Sequence, residues 1–92
     1  MNQDGIGIFT SVQGTVEVSY NNSRSNTSDG IVAYVSAVGH VIAYNKSFQN
    51  GLDCRDDSVG PHNPPAMVAN EWIKDLGRTE NKPGLCKQAG PQ

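Results

Sequence analysis

The chain has 92 residues and a mass of 9.8 kDa, which is enough for a single domain over residues 1–92 and too little for two. A net charge of −2 with seven basic residues argues against a nucleic-acid partner. The longest mostly apolar stretch, residues 31–44, is too short to span a membrane as a helix, so no membrane partner is expected. We expect flexible ends over residues 1–5 and 87–92.

The first twenty residues predict a β-hairpin. A short apolar segment, residues 6–12, is followed by Gln13-Gly14, a pair that suits a tight turn. Residues 15–20 then alternate between polar and apolar side chains, which is typical of a half-buried strand. Residues 21–30 contain no apolar side chain and are predicted to form a mobile surface loop.

Residues 31–44 predict a strand at the centre of the sheet. β-branched residues dominate this stretch and both of its faces are apolar, which favours a strand covered on both sides. Gly39 either bends the strand or turns it into a second strand paired with the first. Asn50-Gly51 is a further hairpin signal.

Residues 63–77 predict a helix. Asn63 suits the N-cap, the prolines that follow suit the first turn, and Gly77 suits the end. The spacing of the apolar residues Ala69, Trp72, Ile73 and Leu76 fits one helical face. Trp72 lies in the middle of this face and is therefore predicted to be buried. The predicted fold class is therefore α+β: a small antiparallel sheet of four to five strands with one C-terminal amphipathic helix on one face. An all-β barrel with a peripheral helix is the alternative.

Two cysteines, Cys54 and Cys86, predict one disulfide, which would hold an otherwise polar C-terminal tail. The location of the protein depends on this bond. The start Met1-Asn2-Gln3 shows no secretion signal, which indicates a cytoplasmic protein if Met1 is the native start. A disulfide instead favours a secreted or periplasmic protein.

Candidate chemistry is sparse, so the leading prediction is a non-catalytic binding protein without a cofactor. Tyr44 and Tyr34 are the predicted binding residues, because exposed aromatic side chains bind proteins or stack on sugars. A sugar-binding module using Tyr44 and the Asn-rich residues 21–30 is a second possibility. The enzyme alternative is a small hydrolase with ribonuclease-like acid–base chemistry, in which His40 and His62 act with a carboxylate such as Glu17 or Asp57.

No metal site is predicted, because Asp53, Asp56 and Asp57 with His62 do not have the spacing of a calcium loop. Self-association is predicted instead. One helix covers one face of a sheet, and the other face would expose Val32, Tyr34, Val38 and Ile42. The sequence therefore predicts a homodimer through the sheet, or another protein partner on the same face.

Overall fold

The computed structural model describes residues 5–8 and 17–86, and within them the chain forms nine short strands. The strands are β1 (Ile6–Ile8), β2 (Glu17–Ser19), β3 (Asn22–Arg24), β4 (Asp29–Ala33), β5 (Val41–Ala43), β6 (Lys46–Phe48), β7 (Leu52–Asp56), β8 (Glu71–Ile73) and β9 (Leu76–Gly77). They form three parallel sheets of three strands each. The first sheet is β1-β4-β7, the second is β2-β5-β8 and the third is β3-β6-β9.

This strand order describes a three-sided parallel β-helix with three rungs. Each rung contributes one strand to each sheet, and the next rung stacks on it in parallel. In the second sheet Val18, Ile42 and Trp72 are in register, and in the third sheet Ser23, Ser47 and Gly77 are. In such a solenoid each rung buries its inner face against its neighbours, so the rungs stabilise one another.

The apolar core fills the space between the first and second sheets. It consists of Ile8, Ile31, Ala33, Ala37, Ile42, Cys54, Ala66, Val68, Trp72, Leu85 and Cys86. Trp72 is 3% exposed, which confirms its predicted burial, and its indole N–H donates to the Asp56 carboxylate at 2.8 Å. The buried polar end of Trp72 is thus satisfied, as a buried indole requires.

Asparagine ladders hold the two corners that flank the third sheet. At the corner before β3 and β6, Asn45 Oδ1 accepts hydrogen bonds from the Asn21 backbone and side chain at 2.9 and 3.1 Å. At the corner after them, Asn50 Oδ1 accepts the same two bonds from Asn26 at 2.9 and 2.8 Å. Both ladders satisfy backbone N–H groups that the tight corners turn away from the strands.

The C-terminal end of the solenoid is closed by residues 78–86. The Cys54 amide donates to Thr79 O at 3.0 Å, and the Gly77 amide donates to Cys86 O at 3.1 Å. The Glu80 carboxylate accepts from the backbone amides of residues 84–86. The predicted disulfide between Cys54 and Cys86 is confirmed, and it ties this closing segment to β7.

The predicted helix and the α+β class are wrong. No helix is present among the described residues, and residues 63–77 contain β8 and β9 with a left-handed residue, Lys74, at φ 50° between them. The Asn63 side chain does form hydrogen bonds with the backbone, but not as the cap of a helix. Asn63 Oδ1 accepts from Trp72 N at 2.8 Å, and Asn63 Nδ2 donates to Trp72 O at 2.7 Å, along the edge of β8. The helical spacing of Trp72, Ile73 and Leu76 arises because two short strands meet at a corner.

The predicted antiparallel pairings are also wrong. β4 and β5, which share the apolar residues 31–44, lie in different sheets and each pairs in parallel with other rungs. Asn50-Gly51 lies at the corner between β6 and β7 and does not form a hairpin. The predicted mobile loop, residues 21–30, contains β3 and the buried side chains of Ser23 and Asn26. Parallel stacking uses the backbone groups that a hairpin would otherwise pair.

The apolar face that motivated the homodimer is absent from this architecture. Val32 and Ile42 are both 0% exposed and Tyr34 is partly buried, whereas Val38 is 50% exposed. Several expectations lie outside the described residues: the ends at 1–4 and 87–92, and the part of the first hairpin at residues 9–16. No helix in the described ranges has the length and apolar character needed to cross a bilayer.

Candidate binding surface

Two tyrosines form an exposed stack at the corner before the third sheet. Tyr20 and Tyr44 occupy equivalent positions of successive rungs, each directly before a ladder asparagine. Their ring centroids are 5.3 Å apart and their planes differ by 6°. Both residues have left-handed backbone geometry, with φ near 57° and 58°, which turns their side chains out of the rung. We call this pair the tyrosine stack.

The tyrosine stack offers one free ring face. Tyr44 is 45% exposed, because Tyr20 covers one side of it. Tyr20 is 78% exposed, so the ring face that does not contact Tyr44 is open to solvent. An aromatic ring held in this way is preorganised for stacking, since the contact with its neighbour and the corner geometry limit its motion before a ligand arrives.

The outer side of the third sheet is basic and partly aromatic. Its strands point Ser23 and Ser47 inward, so the neighbouring residues point outward; these are Asn22 and Arg24 on β3, Lys46 and Phe48 on β6, and Leu76 on β9. Arg78 follows β9 and joins Arg24, Phe48 and Gln49 in lining a shallow hollow. We call these outward residues, with Arg78, the basic face.

The tyrosine stack and the basic face are continuous. A second hollow is lined by residues of both: Tyr20, Asn21, Asn22, Tyr44 and Lys46. Asn21 and Asn22 are exposed. Asn21 Nδ2 already donates to Ser19 O and Asn45 Oδ1, so Asn21 offers its Oδ1 as an acceptor, while Asn22 offers its Nδ2 as a donor. The combined surface therefore presents an aromatic ring face, amide groups and cations along one side of the solenoid.

Charge is segregated over the surface. Of the basic residues that the structure describes, Arg24, Lys46 and Arg78 lie on the basic face and Lys74 lies at the tyrosine corner. The neighbouring Asp29, Asp53 and Asp75 are buried, and Glu80, two residues after Arg78, is half-buried and accepts hydrogen bonds from the backbone of residues 84–86. The exposed acidic residues Glu17 and Glu71 lie in register on the second sheet. A chain with a net negative charge thus has one locally positive side.

The two histidines of the predicted hydrolase lie in different environments. His40 is 1% exposed, whereas His62 is exposed in the segment between β7 and β8. A general acid or base must lie within hydrogen-bond reach of a substrate proton, and a buried imidazole does not meet that requirement. The acidic residues Asp53 and Asp56 are buried and accept hydrogen bonds from protein groups. No cluster of three or more metal-binding side chains occurs in the described part of the chain.

Of the two predicted binding residues, Tyr44 is in the tyrosine stack and Tyr34 is not. Tyr34 is partly buried directly after β4, and its backbone amide donates to Ile8 O at 2.9 Å. Its part in binding stays a prediction. Tyr20 is the more exposed tyrosine, and sequence reasoning did not select it over the others.

A signal for the solenoid was present in the sequence. The pattern Tyr-Asn-x-Ser-x-x-Asn begins at Tyr20 and again at Tyr44, and the paired asparagines are 24 residues apart. Recurrence of the same side chains at one period indicates stacked equivalent positions. A shorter echo, IVAY at residues 31–34 and VIAY at residues 41–44, does not have the spacing at which the rungs stack. In comparisons with known proteins, no family model, curated protein or solved structure matches the chain.

Proposed function

We propose that this protein is a non-catalytic carbohydrate-binding module that contacts its ligand through the tyrosine stack. The single observation that supports this proposal is the free, preorganised ring face of Tyr20, which is 78% exposed while its ring is stacked on Tyr44. Packing an apolar ring face against the C–H face of a sugar would bury surface that is now wet.

The surroundings of the ring favour a sugar over a protein partner. A protein hot spot is a desolvated pocket in which an anchor side chain is enclosed. The hollow beside Tyr20 is shallow and is lined by the amides of Asn21 and Asn22 and by Lys46. Amide and ammonium groups around an aromatic face are suited to the hydroxyl groups of a sugar.

The proposal is tested by measuring the binding of the disulfide-bonded chain to an array of immobilised glycans, followed by calorimetric titration of the glycans that bind. We expect Tyr20→Ala to weaken binding about fivefold or more, since removal of one aromatic ring loses roughly 1–3 kcal/mol where nucleic-acid bases stack on aromatic side chains. Tyr44→Ala should weaken binding by a similar factor, because Tyr20 would lose its support.

Val59→Ala is the matched control, because Val59 is 82% exposed in the segment between β7 and β8, away from the tyrosine stack. Tyr34→Ala tests the second binding residue predicted from the sequence. Wild-type binding by a folded Tyr20→Ala variant would contradict the proposal, and so would the failure of the wild-type protein to bind any glycan.

A further inference from the structure

We propose that the basic face binds the carboxylates of a polyuronate, an acidic polysaccharide whose chain lies along the axis of the solenoid. This inference rests on the proposed function and names the ligand class. Its first support is the regular placement of charge. Arg24 lies on the first rung, Lys46 on the second and Arg78 directly after the third, so each rung presents one cation on this side. Rungs of parallel strands stack about 4.8 Å apart. Arg24 is in register with Phe48 and Lys46 with Asn22 and Leu76, so the cations alternate between two neighbouring columns along the axis.

The second support is the arrangement of the Arg24 guanidinium. Arg24 Nε donates to Asn22 Oδ1 at 2.8 Å, and Arg24 Cζ lies 5.4 Å from the centre of the Phe48 ring. These two contacts hold the planar group over the face of the sheet. Among the described residues, Arg24 forms no ion pair with a carboxylate, so its terminal nitrogens are available to a ligand. Their forked N–H groups match the two oxygens of a carboxylate.

The third support is that Arg24 and Lys46 have little competing negative charge beside them. Lys46 and Lys74 form no ion pair within residues 5–8 and 17–86, and the neighbouring Asp29, Asp53 and Asp75 are buried. Glu80 shares a hollow with Arg78, but it is half-buried and its carboxylate accepts hydrogen bonds from the backbone amides of residues 84–86. An anionic polymer would therefore meet Arg24 and Lys46 with little competing negative charge beside them. The polymer would also reach the tyrosine stack, because the hollow at Lys46 is shared with Tyr20 and Tyr44.

A polyuronate fits this surface better than the other anionic or protein occupants. Proteins that bind nucleic acid mainly through phosphates have a strongly basic domain, whereas this chain has a net charge of −2 and a pI near 5.5. A second copy of the chain would bring the exposed Glu17 and Glu71 of its second sheet to the cations, and the oligomeric state tests this occupant. A sugar polymer with one carboxylate per unit supplies both a ring for Tyr20 and charges for the cations.

The test compares polygalacturonate with the same polymer after methyl esterification of its carboxylates, using calorimetric titration of the full disulfide-bonded chain. We expect the esterified polymer to bind at least tenfold more weakly, and binding of polygalacturonate to weaken as salt is added. Arg24→Gln and Lys46→Gln should each weaken binding of polygalacturonate about tenfold, the size expected for losing one charge-assisted contact. Neither substitution should change binding of the esterified polymer.

Arg55→Gln is the matched control, because it removes the same charge from the first sheet, where Arg55 contacts Asp57 at 3.2 Å. Equal binding of the two polymers, or equal losses in Arg24→Gln and Arg55→Gln, would overturn the inference. Tighter binding of single-stranded DNA or of heparin would overturn it in favour of a phosphate or sulfate ligand. A dimer in sedimentation that Arg24→Gln dissociates would assign the face to a second copy.

The two proposals fail separately. If Tyr20→Ala weakens binding of both polymers while Arg24→Gln and Lys46→Gln change neither, the carbohydrate-binding proposal stands and the polyuronate inference is wrong. If Tyr20→Ala leaves both polymers bound as in the wild type, the proposed role of the tyrosine stack is wrong.

Discussion

Asp75 is the residue at which the ladder of the tyrosine corner ends. Its Oδ1 accepts hydrogen bonds from the backbone and side chain of Asn45 at 3.0 and 2.8 Å. Asn45 Oδ1 accepts the equivalent two hydrogen bonds from Asn21. Its Oδ2 is buried and has no hydrogen-bond partner. Burial raises the pKa of the Asp75 carboxyl from 3.8 to about 7, although its hydrogen bonds with Asn45 act in the opposite direction. An aspartic acid at this position therefore holds its proton in the folded protein at mildly acidic pH.

This raised pKa makes stability depend on pH in an uncommon direction for a carboxyl group. Between about pH 4 and pH 7 the folded protein retains the Asp75 proton and the unfolded chain releases it. The free energy of unfolding should therefore fall as the pH rises, by up to about 1.4 kcal/mol per pH unit from this one group, and the loss should be complete above the folded pKa. Urea unfolding at a series of pH values measures the slope.

Asp75→Asn should remove this contribution and stabilise the protein at pH 8. The amide would keep the Oδ1 acceptor for Asn45 and replace the unpartnered oxygen with a donor. Glu71→Gln is the control, because it removes a carboxylate that is exposed. An unchanged pH dependence of unfolding in Asp75→Asn would show that Asp75 is not the titrating group.

At the scale of the elements, the corners specify the fold more than the strands do. Most strands have three residues, which is too short for hydrophobic periodicity to distinguish a strand from a helix. The corners repeat one arrangement, a residue with positive φ followed by an asparagine; the pairs are Tyr20-Asn21, Ser25-Asn26, Tyr44-Asn45 and Gln49-Asn50. Each asparagine then bonds to the equivalent residue of the next rung, or, for Asn50, to Asp53.

Loss of one ladder residue should therefore destabilise the whole domain. Asn45 is 1% exposed, and its side chain bonds to groups on both neighbouring rungs, namely Asn21, Val18 O and Asp75. We expect Asn45→Ala to lower the free energy of unfolding by about 3 kcal/mol, because several buried polar groups would lose their partner.

Asn22→Ala is the comparison for this prediction, since Asn22 is exposed and begins β3 directly after the same corner. It should change stability by less than about 0.5 kcal/mol, as surface substitutions usually do. Chemical denaturation of both variants measures the difference, and equal effects would show that the ladder contributes little.

For the whole molecule, the closed C-terminal end is the feature that depends most on a covalent bond. Residues 78–86 cover the third rung, and Leu85 and Cys86 within them are 0% exposed. The disulfide joins this segment to Cys54, 32 residues earlier. A loop of that length predicts a stabilisation of about 3–4 kcal/mol from restriction of the unfolded chain.

We expect the double variant Cys54→Ala/Cys86→Ala to lose about that much free energy of unfolding and to expose the amides of residues 77–86 to hydrogen exchange. The amides of β4 and β5 should stay protected, because they pair with their neighbours without the closing segment. Uniform loss of protection across all three sheets would show instead that the disulfide is needed for the solenoid as a whole.

Self-association also belongs to this scale, and it stays a prediction. The wet apolar sheet face that suggested a homodimer does not exist, because Val32 and Ile42 are buried. Sedimentation at micromolar concentrations tests the prediction independently of that face. A single species near 10 kDa at every concentration would contradict a homodimer.

The sequence by itself determined the features that depend on composition or on a single pair. An even count of cysteines indicated the bond between Cys54 and Cys86. The predicted burial of Trp72 is confirmed, although the helical face from which it was predicted is not formed. Tyr44 was also predicted to be an exposed aromatic residue, and it is 45% exposed. The pairing of two cysteines and the burial of a large apolar side chain depend on side-chain chemistry, and both hold whichever strands are neighbours.

Only the tertiary structure decided how the strands pair and which side chains form the binding surface. A three-residue strand has the same local preference in a hairpin and in a stacked rung, so the choice depends on partners that are 24 or more residues away. Parallel stacking brought Tyr20 onto Tyr44 and placed Arg24 over Phe48. The asparagine ladders stabilise that register because each amide bonds backbone in the adjacent rung, and such contacts exist only once the rungs are stacked.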